Sequence, residues 1–157
     1  MSKIRRVRLN ASPLYGQLGE MNEAAAAAGL EAGLDMRTIE LIRLRCSQLN
    51  GCASCLKAHT ALALEHGEIP ERIGMLTAWS DSDYFTPVEE AVLKLAEIVT
   101  LVGETGYDDE DYAALAEVLT PEQISAATWL AILINSSNRL WTANNPPVRL
   151  PAELRRA

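Results

Sequence analysis

Apolar residues recur at intervals of three and four through most of this chain, and no stretch shows sustained period-two alternation with β-branched enrichment. That spacing predicts helices. Residues 1–10 alternate weakly, through Ile4, Val7 and Leu9, and read as an extended arm. Ser12-Pro13 pairs an N-cap residue with a proline at the first helical position. The helix it opens runs through the alanine block Ala24–Ala28 and is expected to stop near Gly29. Asp35 caps a helix over about 36–49, Gly51 breaks it, and a third helix runs from about Cys52 to Gly67. Pro70 opens a short helix to about Ala78. Thr86-Pro87-Val88-Glu89 and Thr120-Pro121-Glu122-Gln123 each combine an N-cap, a first-turn proline and a capping-box residue. They open helices to about Val102 and Ala143. Between them Gly103–Tyr107 reads as a loop, and Asp108 or Asp109 starts a helix to Leu119. The expectation is an all-α bundle of about seven helices, with the C-x-x-C pair at the start of one of them. Residues 1–157 read as one domain, with 144–157 as a polar tail.

Composition narrows the class. A chain of 157 residues with 48% hydrophobic content is long and apolar enough to bury a core, which argues against disorder. The net charge of -7 argues against nucleic acid as a partner. The basic run Lys3, Arg5, Arg6, Arg8 precedes no apolar segment of signal-peptide length. No stretch approaches the ~20 apolar residues that span a bilayer. A location in the cytoplasm is expected. Three cysteines, an odd number, do not make a secreted disulfide framework. In a reducing compartment a C-x-x-C pair is more often catalytic or metal-binding than structural. The alanine-rich first helix and the apolar last helix exceed what one small core needs, which points to a homo-oligomer.

The chemistry concentrates between Glu40 and His59, in the run ELIRLRCSQLNGCASCLKAH. Cys52, Cys55 and His59 are spaced by three and four residues, so in a helix they share one stripe. A helix start supplies unpaired N–H groups and the positive end of the dipole, and both favour a thiolate. A neighbouring imidazolium acts in the same sense. Glu40 lies about 16 Å of helix before Gly51 and His59 about 12 Å after it, at 1.5 Å per residue. If the chain reverses at Gly51, Glu40 comes level with His59 across an antiparallel hairpin. Burial there is expected to raise the Glu40 pKa toward the range useful for proton transfer. The candidate site is therefore Cys55, Cys52, His59 and Glu40, a proton relay that ends on sulfur.

Glu40, Arg45, Ser47, Asn50, Cys52, Cys55 and His59 together resemble the signature of the alkylhydroperoxidase D / carboxymuconolactone decarboxylase family. Trp79 and the stretch Ile134-Asn135-Ser136-Ser137-Asn138-Arg139-Leu140 are similar to weaker motifs of the same family. The resemblance implies an all-α fold that assembles into trimers or hexamers. It implies a peroxidase in which Cys55 attacks a hydroperoxide, Cys52 resolves it as a disulfide, and Glu40 and His59 relay the proton. It also implies a dithiol reductant, a dihydrolipoyl-bearing or thioredoxin-like protein, and no resident cofactor. The founding peroxidase carries a histidine inside its C-x-x-C, where this chain has Ser54.

Other readings of the same residues stay open. Cys52, Cys55, His59 and His66 could hold zinc, or the thiols could report oxidation to a partner without catalysis. A decarboxylase-type enzyme could use Glu40 or His59 as acid or base with incidental cysteines. Glu40 could be an ordinary surface residue paired with Arg37 or Arg43. Cys46, on the stripe of Ile39, Ile42 and Leu49, reads as core, and His66 as a helix-end cap. Asn135, Asn138 and Arg139 read as partners for buried backbone or interface groups, and Trp129 and Trp141 as core or interface anchors.

Overall fold

The caps written into the sequence set where the helices start. In the computed structural model, which describes residues 6–150, eight α-helices and two short 3-10 segments follow one another, with no strand among the described residues. The helices are α1 (Pro13–Glu31), α2 (Met36–Leu49), α3 (Ala53–Glu65), α4 (Pro70–Met75), α5 (Pro87–Thr100), α6 (Val102–Thr105), α7 (Asp109–Ala116) and α8 (Pro121–Asn144). Ser12, Asp35, Asp108, Thr86 and Thr120 all cap as expected, the last two with complete capping boxes. The expected all-α class and the boundaries of α2 hold.

Four boundaries differ. Leu9–Ala11 forms a 3-10 turn rather than an extended arm. Its strand-like alternation loses to contacts with the end of α8: Arg6 Nη1 donates to the Thr142 carbonyl at 3.3 Å, and the Leu9 N–H to Asn144 Oδ1 at 2.8 Å. Residues 1–5 of the expected arm and 151–157 of the expected tail lie outside the described residues. The chain after Met75 tightens into a 3-10 segment, Leu76–Asp81. Part of the expected Gly103–Tyr107 loop forms the one-turn helix α6. Gly29 does not end α1, which runs on to Glu31. It is instead the point where α1 meets α2 and α8. A Cβ there would sit 3.1 Å from Ile39 Cδ1 and 3.5 Å from Leu130 Cδ1. The missing side chain serves a close approach, not a turn.

Helix α2 is the centre of the packing. Every residue from Thr38 to Leu44 is buried, so the helix has neighbours on all sides. One face, through Ile39, Ile42 and Cys46, joins Val92 and Leu95 of α5 and Leu130 and Ile134 of α8. The opposite face, through Leu41 and Leu44, packs with Ala63 of α3, Leu76, Phe85 and Leu93. Cys46 is core as expected. Of the two readings of Trp129, core or interface anchor, the core one fails, because the side chain stands half exposed on α8. Trp141 stacks edge-on with Tyr15 at 5.9 Å, bringing the start of α1 against the end of α8.

The motif residues beyond the cysteines turn out to tie helices together. Glu97 on α5 takes the Arg45 guanidinium from α2 and the Trp79 indole N–H, both at 2.7 Å. Asn50, at the end of α2, donates to Asn135 Oδ1 at 2.8 Å, to Asn138 Oδ1 at 3.0 Å and to the Cys46 carbonyl at 2.8 Å. Asn138 Nδ2 in turn donates to Ser47 Oγ at 3.0 Å. Arg139 Nη1 donates to Asn135 Oδ1 at 2.9 Å. Buried amides bonded on several sides rigidify their surroundings, and here they clamp the α2–α3 turn to α8. Among the described residues no helix is long and apolar enough to cross a membrane.

The Gly29 contact predicts a clean stability effect. Gly29→Leu forces side-chain atoms into a filled junction and should cost about 1–3 kcal/mol. Urea unfolding measures it; an unchanged midpoint would show that α1 can back away from α2 freely.

Candidate active site

Gly51, at φ +61°, reverses the chain between α2 and α3. The two helices then run side by side, as the sequence spacing required. Cys52 is the N-cap of α3, and its sulfur accepts the Cys55 N–H at 3.4 Å. Cys52 and Cys55 are joined as a disulfide with Cα atoms 5.3 Å apart. Both cysteines are buried, within a few percent of full enclosure.

One helical turn beyond Cys55, His59 Nδ1 lies 2.7 Å from Glu40 Oε2. Glu40 is fully buried. Its other oxygen, Oε1, accepts from Arg43 Nη1 at 2.7 Å. Arg43 is itself buried, and its Nη2 donates to the Asn22 carbonyl of α1 at 3.2 Å. The surface reading of Glu40 therefore fails, although one partner it named, Arg43, is real. Arg37 pairs with Asp35 instead, at 3.1 Å.

The expected rise in the Glu40 pKa is corrected by these partners. Burial pushes the carboxyl up, but the His59 hydrogen bond and the Arg43 guanidinium outweigh it and hold it below its usual value. Glu40 is thus a standing carboxylate, not a proton donor in waiting. Cys46 shows the opposite outcome. Burial without a charged partner of this strength pushes its thiol up to about 11, which leaves it an inert core group.

A cleft of about 760 Å³ opens onto Cys55, His59, Glu40 and Arg43. Its far wall is α1, through Tyr15, Gly16, Gly19, Asn22 and Glu23, and its end is closed by Ile134, Ser137 and Trp141 of α8. Cys52 is not on this cleft. It lines a smaller notch of about 260 Å³ on the other side of Ser54 and Trp141. Ser54 borders both. Three of the four expected residues, Cys55, His59 and Glu40, line this cleft, and the α1 wall was not among the expectations. The signal was there in Gly16, Gly19 and Asn22, three residues apart on one helical stripe. His66 is the C-cap residue of α3, as read, and its side chain also lines the cleft. Among the described residues no three or more His, Cys, Asp or Glu side chains group to hold a metal ion.

An all-helical chain with a C-x-x-C disulfide at a helix start, beside a buried carboxylate–imidazole pair, defines a narrow class. Comparison with known proteins agrees. Residues 14–97 match the model of the carboxymuconolactone decarboxylase family, a span that holds α1 to most of α5 and every candidate site residue. The uncharacterized protein YdfG of Bacillus subtilis (strain 168) is 38% identical over 110 residues, which cover 70% of this chain and 75% of that protein. The crystal structure of ATU0492 from Agrobacterium tumefaciens superposes with a TM-score of 0.79 at 29% identity, over 95% of this chain and all of that one. That protein is described as of unknown function and a candidate antioxidant defence protein, AhpD. The chain belongs to the carboxymuconolactone decarboxylase family.

The Glu40 shift has a sign that can be measured. Its folded pKa lies below the unfolded one, so its contribution to stability is full above the unfolded value, near 4.5. The contribution is lost as pH falls through the lower folded value. Glu40→Gln leaves Arg43 buried without its counter-charge and should cost about 3–5 kcal/mol at neutral pH. The gap between variant and wild type should narrow as the pH drops toward 3 in urea titrations; a gap independent of pH would contradict the assignment.

Proposed function

We propose that the protein is a thiol-dependent hydroperoxide reductase that cycles Cys52 and Cys55 between dithiol and disulfide. The observation that carries the reading is the 2.7 Å His59–Glu40 pair on the same cleft as Cys55, with Cys52 within bonding reach behind it. In the reduced protein His59 takes the Cys55 proton, and the start of α3 favours the resulting thiolate. The thiolate attacks the outer oxygen of a hydroperoxide. The O–O bond breaks, the proton held by His59 leaves with the alkoxide as an alcohol, and Cys55 becomes a sulfenic acid. The Cys52 thiol attacks the Cys55 sulfur, water departs, and the disulfide forms. A dithiol reductant, a dihydrolipoyl or thioredoxin-like protein, restores both thiols by exchange and is itself oxidised to a disulfide. Such a cycle suits a reducing compartment, the cytoplasm.

On this reading Glu40 orients the imidazole through the 2.7 Å contact at Nδ1 and does not itself exchange the proton. Ser54 supplies no second imidazole, so His59 alone serves as the base. Mass spectrometry after one equivalent of an organic hydroperoxide tests the cycle. Wild type should form the Cys52–Cys55 disulfide, Cys52→Ser should stop at an adduct on Cys55, and Cys55→Ser should consume no peroxide. Consumption that survives Cys55→Ser would refute it.

The exposed apolar side chains on the two helices singled out for association, Leu14 and Leu30 on α1 and Trp129 and Ile132 on α8, support a homo-oligomer, a trimer or hexamer. Light scattering at micromolar concentration should give three or six times the chain mass; a monomer mass would overturn it.

A further inference from the structure

We infer that Arg43 is a positioning residue that fixes which ring nitrogen of His59 carries the proton, and so makes Nε2 the base available to Cys55. For its effect on peroxide turnover the inference rests on the redox reading above; for the tautomer it does not.

Glu40 is inside the protein, and each of its oxygens has a single short partner: Arg43 on Oε1 and His59 Nδ1 on Oε2. A guanidinium does not give up its proton in a protein, so Arg43 is a permanent cation. It keeps a full counter-charge 2.7 Å from Glu40 whatever His59 does. Glu40 can then remain a carboxylate when His59 is neutral. A carboxylate only accepts hydrogen bonds. The 2.7 Å contact therefore has His59 Nδ1–H as donor, and the lone pair of the neutral ring sits on Nε2.

Removal of the guanidinium reverses this. A buried carboxylate facing only a neutral imidazole bears an uncompensated desolvation cost. The lower-energy neutral arrangement is a protonated Glu40 donating to His59 Nδ1, with the ring hydrogen on Nε2. Nε2 is then a donor and cannot accept the thiol proton. Arg43 thus acts through Glu40 on His59 without touching the reacting sulfur.

The other charged or titratable groups facing the relay do not supply this counter-charge. From α1 come Glu23 and Tyr15; from α3 come Cys55 and His66; α8 presents Ser137 and Trp141 to the same cleft and no charged group. Arg43 is the permanent cation on the cleft wall, and its second arm, on the Asn22 carbonyl, anchors it to α1.

The test is nitrogen NMR of protein labelled in its two histidines, with His66→Gln used for assignment. Neutral His59 in wild type should be the Nδ1–H tautomer. Arg43→Met should convert it to Nε2–H, lower the rate of peroxide consumption by about 10²-fold, and change the pH profile of Cys55 alkylation by iodoacetamide. Arg43→Lys should restore the wild-type tautomer and part of the rate. An Nε2–H tautomer in wild type overturns the inference without any variant, and so serves if Arg43→Met does not fold. A folded Arg43→Met with unchanged tautomer and unchanged alkylation profile also overturns it. If wild type consumes no peroxide yet the tautomer switches with Arg43, the proposed activity fails and the role of Arg43 stands.

Discussion

A carboxylate that stays charged inside a protein core constrains everything around it. Glu40 is wholly enclosed, and an unpaired charge there would cost several kcal/mol. Its compensation comes from three helices at once. Arg43 sits one turn along α2, His59 comes from α3, and the Asn22 carbonyl of α1 holds the far side of the guanidinium. The spacing of α2 and α3 and the approach of α1 are all fixed by satisfying these few polar atoms. A hairpin slipped by one turn would strand the carboxylate.

The pivot that keeps the hairpin in register is a second buried polar cluster. Asn50, Asn135, Asn138 and Ser47 bond one another and the ends of nearby helical turns. Amides serve here because each both donates and accepts, so a small cluster can satisfy itself without water. The cysteines begin two residues beyond Asn50, at a helix start held by this clamp. A reactive group needs such support, since looseness of the order of 1 Å weakens catalysis sharply.

The three cysteines show how environment divides one side-chain type into different chemistries. Cys46 is enclosed by apolar neighbours, and its thiol is pushed up to about 11. Cys52 caps α3 and borders the small notch, whereas Cys55 opens on the large cleft beside His59. The two sulfurs of one disulfide are thus reached from different sides, with Ser54 and Trp141 standing between.

Much of this was legible in the sequence because local chemistry writes it. Caps and first-turn prolines fixed the helix starts, and Gly51 with the 3.6-residue period brought Glu40 level with His59. The resemblance of the Glu40–His59 run to its family added the expectation of a redox pair. What local pattern could not decide was which helices meet. Gly29 reads as a stop signal because a glycine that ends a helix and one that admits a neighbour look alike until the neighbour is in place. The 3-10 turn at Leu9 and the cleft wall on α1 depend on the end of α8 for the same reason. The Glu40 pKa went the other way from expectation on the same ground: its sign is the difference between two large opposing effects. The sequence brings His59 and Arg43 within range of Glu40; only the tertiary structure buries the carboxylate and sets both partners at 2.7 Å, where they outweigh the burial.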